Sequence, residues 1–103
     1  MLITTCDVIP GKQIEALGTV TGNVVTSKNI GRDIMAGFKN IAGGEIKSYT
    51  DMMNEGRDIA EQRMIAEAQA LGADAIICMR YSTASVMEGA LDIRAYGTAI
   101  RFA

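Results

Sequence analysis

Apolar and small residues fall at every second position between Ile14 and Thr26. Ile14, Ala16, Gly18, Val20, Gly22 and Val24 share one face, while Glu15, Thr19, Thr21 and Asn23 interleave with Leu17 and Val25 on the other. A period of two held this long predicts an extended strand, with Gly18 and Gly22 as places for a bend or a close backbone approach. Before it, Leu2–Val8 has strand composition and ends at Ile9-Pro10-Gly11, a turn built on proline's fixed φ and glycine's freedom. After it the period lengthens. Ile30, Ile34, Phe38 and Ile41 predict a short helix capped by Asn29 and stopped by Gly43-Gly44.

A longer helix is expected from Asp51 to Leu71, capped by Ser48 or Thr50, with Asp51 and Glu55 complementing the dipole of its first turns. Met53, Ala60, Met64, Ala68 and Leu71 form its apolar stripe, and Met52, Ile59, Ala66 and Ala70 widen that stripe beyond one ordinary face. Arg57, Arg63 and Glu67 intrude into the apolar arc, where Arg63 and Glu67, four residues apart, can pair. Ile65 falls among the polar positions. A helix covered on more than one side accounts for these misfits. Gly72 ends the helix, and Ala75–Val86 and Leu91–Phe102 follow as two strands joined through Met87-Glu88-Gly89. Leu91, Ile93, Ala95, Gly97 and Ala99 give the last strand a small-residue face on which a helix packs closely. The order is β-β-α-α-β-β, an α+β architecture in one domain over residues 1–103.

Composition narrows the chemistry more than the fold. A net charge of -2 gives no electrostatic reason to bind nucleic acid or an anionic membrane. No stretch approaches the about 18 apolar residues that span a bilayer. The first residues lack the basic and long apolar regions of a signal peptide. Two cysteines make no disulfide framework, so a reduced, cytoplasmic setting is expected. There is no histidine, which removes the commonest general base and the commonest nitrogen ligand for metals. Seven methionines against two phenylalanines point to a core of flexible and small side chains.

Candidate motifs are few. Ser27-Lys28 has the wrong order for a phosphate loop, and the glycines at 18 and 22 do not make a dinucleotide fingerprint. Gly43-Gly44-Glu45 has the composition of an anion-binding nest, although a helix stop is the simpler reading. Asp51, Glu55, Asp58 and Glu61 form an acidic stripe that reads as a solvated helix face, because a helix offers hard cations no wrapping loop. Cys6 and Cys78 are the only thiols. If the first and third strands are neighbours, the two sulfurs meet and can hold a soft metal with help from Met79 or Met87; otherwise they are inert core cysteines. Tyr49, Arg57, Tyr81 and Tyr96 suit a polar pocket or a protein interface. No carboxylate, lysine or serine has the spacing of an acid–base or nucleophile–base pair, which argues against an enzyme.

Several blocks together resemble the YbjQ-like family of small bacterial and archaeal proteins of unknown function. They are Gly18-Thr19-Val20-Thr21-Gly22, Asn40-Ile41-Ala42-Gly43-Gly44-Glu45, Tyr49-Thr50, Arg57, Leu71-Gly72-Ala73-Asp74-Ala75 and Ala95-Tyr96-Gly97-Thr98-Ala99. The resemblance runs over essentially the whole chain. It implies a dodecin-like subunit, in which an antiparallel sheet carries its helices on one face, a ring-shaped homo-pentamer, and a heavy-metal-binding label. The expected function is a non-enzymatic homo-oligomeric module that binds a small ligand or partner. Its expected ligand residues are Glu45, Tyr49, Arg57 and Tyr96, and its expected interface residues are Arg57, Arg63, Ile65 and Glu67. The alternatives are a soft-metal binder using Cys6 and Cys78, and an enzyme whose site forms between subunits.

Overall fold

Gly22 and the α-helix that crosses it set the architecture. The computed structural model describes residues 1–27 and 42–103, with the side chains of 42–48 outside that description. The expected short helix over 30–41 lies outside the described residues. The elements are β1 (Leu2–Ile3), β2 (Ile14–Ser27), α1 (Ala42–Ala70), β3 (Ala75–Met87) and β4 (Ala90–Phe102). The strands make one sheet in the order β1-β3-β4-β2, with α1 packed across β2 and β4. A Cβ on Gly22 would run into the backbone of α1 at Ala60 and Met64, so only glycine lets helix and strand meet this closely.

Four expectations change at this level. The sheet is mixed, not antiparallel throughout: β1 runs parallel to β3, pairing Leu2 with Ala75 and Ile3 with Ile76, and the chain then crosses to the far edge to begin β2. β1 is also shorter than Leu2–Val8. Cys78 adopts φ 55 within β3, and this irregularity breaks the regular ladder, leaving three further backbone bonds between residues 4–6 and 76–79.

The helix begins at Ala42, so Gly43-Gly44 lies inside its first turn rather than between two helices. Neither Ser48 nor Thr50 is then a cap, and the double glycine is not an αR–αL nest. A helical glycine costs only about 1 kcal/mol, which a helix this long absorbs. Finally, Leu17 bulges out of β2 between Ala16 and Gly18 and shifts the phase of the strand. Leu17, Val20 and Val24 therefore pack toward α1, while Ile14 joins a cluster on the opposite face of the sheet.

The rest follows the hydrophobic pattern. Met52, Gly56, Ala60, Met64 and Ala68, each four residues apart, are the buried stripe of α1. Met64, Val20, Ile76 and Ile93 are fully buried there, each contributing about 1.5–3 kcal/mol of transfer free energy. Gly72, at φ 78, ends the helix as expected: Gly72 N–H donates to Gln69 O, and Ala73 N–H donates to Ala68 O, the two bonds of a Schellman motif. The far face carries a second cluster of Ala75, Ile77 and Ile100, flanked by Ile9, Ile14, Cys78 and Phe102. Ile65 flanks the helix-side core rather than facing solvent.

What the core leaves out is equally definite. Every residue from Arg80 to Glu88 is exposed, with Val86 at 50% and Met87 at 66%. This half of β3 has β4 on one side and, among the described residues, no strand on the other. The described residues measure 56 × 22 × 17 Å, with a radius of gyration of 17.0 Å. A compact chain of this length has a radius of gyration of about 13 Å.

Candidate functional site

Two groups of side chains and one uncovered surface stand out. The first group joins α1 to the exposed half of β3. Tyr81 pairs with Ala95 in the ladder and so faces the helix. Its phenol O–H donates to Glu61 Oε1 at 2.6 Å. The Arg57 guanidinium lies 5.6 Å from the Tyr81 ring centroid and donates through Nη2 to Asn54 Oδ1 at 2.7 Å. Desolvation raises the phenol pKa to about 12, aided by the hydrogen bond to Glu61 and the charges of Glu61 and Asp58, against the opposing charge of Arg57. A phenol held protonated with its one O–H committed to Glu61 ties β3 to α1 and moves no proton near neutral pH.

The second group sits where the chain leaves β1. Cys78 N–H donates to Cys6 O at 3.0 Å, and Met79 N–H donates to Thr4 O at 3.0 Å. The two thiols are free, Cys6 exposed and Cys78 half-buried, on adjoining backbones. Arg80 lies against the same stretch: Nη1 donates to Thr5 O at 3.2 Å and to Met79 O at 2.9 Å. Its guanidinium is thus anchored to the residue before Cys6 and the residue after Cys78. Among the described residues no three His, Cys, Asp or Glu side chains gather as a metal site.

The uncovered surface is the flank of α1 beside its buried stripe. Asp58, Ile59, Gln62, Arg63 and Ala66 line a shallow depression of about 330 Å³. Ile59, Ala66 and Ala70, expected to widen the buried stripe, and Leu71, expected to end it, are exposed in the single chain.

The expected site residues are only partly brought together. Arg57 meets Tyr81, but Tyr96 alternates with the buried Ala95 and Gly97 and therefore faces away from α1. Tyr49 is exposed on α1, and the side chain of Glu45 lies outside the described residues. Arg63 and Glu67 do not pair with each other. Arg63 Nη1 donates to Asn23 O at 2.7 Å, and Glu67 Oε1 accepts from Thr21 N–H at 2.9 Å, so the two side chains satisfy one acceptor and one donor on the outer edge of β2. Both are exposed, not buried. Asn54 and Glu61, which complete the Tyr81 group, carry no signal of that role in the sequence. Their meeting with β3 is a long-range event.

Among the described residues no helix is long and apolar enough to cross a membrane. The chain is 58% identical over 102 residues to a UPF0145 protein of Vibrio parahaemolyticus, covering 98% of this chain and 97% of that one. A UPF0145 protein of Thermotoga maritima is 57% identical, with 98% and 96% covered. The fold is also that of a Pediococcus pentosaceus protein of unknown function from the DUF74 family, with a TM-score of 0.71 at 24% identity over 100% of this chain and 98% of the other. A family described as "Putative heavy-metal-binding" matches residues 1–103, and the chain belongs to this YbjQ family.

Proposed function

We propose that the chain is one subunit of a closed homo-oligomer, a pentamer as the resemblance implies, that works in the cytoplasm as a non-enzymatic module binding a small ligand or partner between subunits. The observation that carries this reading is the exposed half of β3. From Tyr81 to Met87 the strand, with Tyr81, Val86 and Met87 exposed, presents an edge that no described strand pairs with, a surface that natural sheets otherwise shorten, charge or cover. The apolar flank of α1 around Ile59 and Ala66 supports it, since a neighbouring copy would bury both surfaces. The Arg57–Tyr81–Glu61 group borders that edge and supplies the ligand or partner with a cation, Arg57. Sedimentation across a concentration series tests the reading. A single assembled species at micromolar protein supports it, and a monomer defeats it.

A second reading is soft-metal binding at Cys6 and Cys78. The hydrogen bond from Cys78 N–H to Cys6 O favours it, because it sets the chain's only two thiols on adjoining backbones. Metal uptake compared between the native chain and a Cys6→Ser/Cys78→Ser variant tests it; equal uptake rules it out.

A further inference from the structure

We infer that the Cys6–Cys78 corner is a two-thiolate site selective for a two-coordinate, thiophilic monovalent ion, Cu(I), over Zn(II), with Arg80 as its charge-balancing residue. The inference rests on the second reading above and adds the ion class and the third residue. It starts from the donor inventory. The full chain has two cysteines and no histidine, so one copy offers no third thiolate and no imidazole.

The candidate thioethers are placed elsewhere. Met79 is buried at 5% in the helix-side core, whereas Cys78 packs with the cluster on the opposite face, so the two side chains diverge. Met87 ends the exposed half of β3, nine residues along the strand from Cys78. No carboxylate completes the set, since no cluster of three His, Cys, Asp or Glu occurs among the described residues. Two thiolates are therefore what the corner provides. Structural Zn(II) takes four ligands in tetrahedral geometry, and iron–sulfur clusters also take four, whereas a pair of soft thiolates is enough for two-coordinate Cu(I).

Charge supports the same choice. Two thiols that take up one Cu(I) release two protons and leave a complex of net charge -1. Arg80 supplies one compensating positive charge, fixed by its bonds to Thr5 O and Met79 O on either side of the pair. A residue held this way beside a metal's ligands keeps their backbones in place and tunes affinity. Cys78 also holds φ 55, a conformation uncommon for a residue other than glycine, and the surrounding backbone bonds keep it there.

The test uses the reduced full-length protein under anaerobic conditions, with Cu(I) supplied as its acetonitrile complex and Zn(II) in parallel. Native mass spectrometry counts bound ions, and competition with a chromophoric chelator ranks affinity. The expected result is one Cu(I) per chain, lost in Cys6→Ser and in Cys78→Ser, with Zn(II) stripped far more easily. Arg80→Ala should weaken Cu(I) by about 10–100-fold while both thiols still react with a thiol reagent as in the native chain. Cys6 is exposed, so its variant folds and keeps the test decisive if Cys78→Ser does not. Zn(II) held as tightly as Cu(I) through the same two cysteines would overturn the ion class and leave the two-thiol reading standing. Full uptake by the double variant, or no uptake by the native chain, would remove both.

Discussion

Glu67 accepts a hydrogen bond from Thr21 N–H at 2.9 Å, although the two residues belong to a helix and to the edge of the sheet it crosses. One turn earlier Arg63 donates to Asn23 O. Together they treat β2 as a missing strand would, satisfying one donor and one acceptor of its outer edge. Among the described residues, the sheet thus has one edge guarded by its own helix and another, on β3, left open. That asymmetry underlies the proposal of assembly through β3.

Removing the guard should cost little stability but change the edge. Glu67→Ala and Arg63→Ala are each expected to lose about 1 kcal/mol, the net worth of one solvent-exposed hydrogen bond. Amide exchange at Thr21 should accelerate in Glu67→Ala and stay unchanged at Ile93 in the core. A loss of several kcal/mol would mean that Glu67 is buried and paired in the assembled protein. Denaturant unfolding measures the first quantity and hydrogen exchange the second.

Gly22→Ala should be far more damaging. The added methyl group meets backbone atoms of Ala60 and Met64, which cannot rotate away. Separating α1 from β2 would open the core around Met64 and Val20, and overpacking of this kind costs about 1–3 kcal/mol or more. Thermal unfolding should show a clear drop in midpoint. An unchanged midpoint would mean that the helix does not lie against the strand.

Tyr81 should titrate well above the ordinary phenol value. Its phenol pKa is raised to about 12. Because the folded pKa lies above the ordinary value of 10.0, its contribution to stability is complete below pH 10 and is lost as pH rises through 12. Phenolate absorbance should show one late-titrating group that disappears in Tyr81→Phe and shifts down in Glu61→Gln. An unchanged phenolate titration above the ordinary value of 10.0 in Tyr81→Phe would contradict the bond to Glu61.

A charge placed on the open edge should prevent assembly without harming the subunit. Val86 is half exposed in the single chain, so Val86→Lys should shift its stability by no more than about 0.5 kcal/mol. Lysine is a residue with which natural edges refuse partners. The variant should remain folded by circular dichroism and sediment as a smaller species than the native protein. An oligomer of undiminished size would show that β3 is not where copies meet.

Local patterns made most of the fold legible. The long alternation of β2, the stop at Gly72 and the small face of β4 each express a period or a backbone preference, and each appears in the structure. The misreadings arise where distant parts of the chain decide. Leu17 leaves the alternation because a bulge shifts the register against β4, which no local pattern announces. Gly43-Gly44 resembles a boundary, yet the helix runs through it. Arg63 and Glu67 look misplaced until β2 is beside them. The Tyr81–Glu61 bond spans twenty residues and two elements, and Tyr96 was excluded from that group by strand register alone.

Native mass spectrometry of the intact protein addresses assembly through β3 most directly. A closed oligomer of uniform stoichiometry, five copies, that dissociates in Val86→Lys is the predicted result. A monomer at micromolar concentration would contradict it.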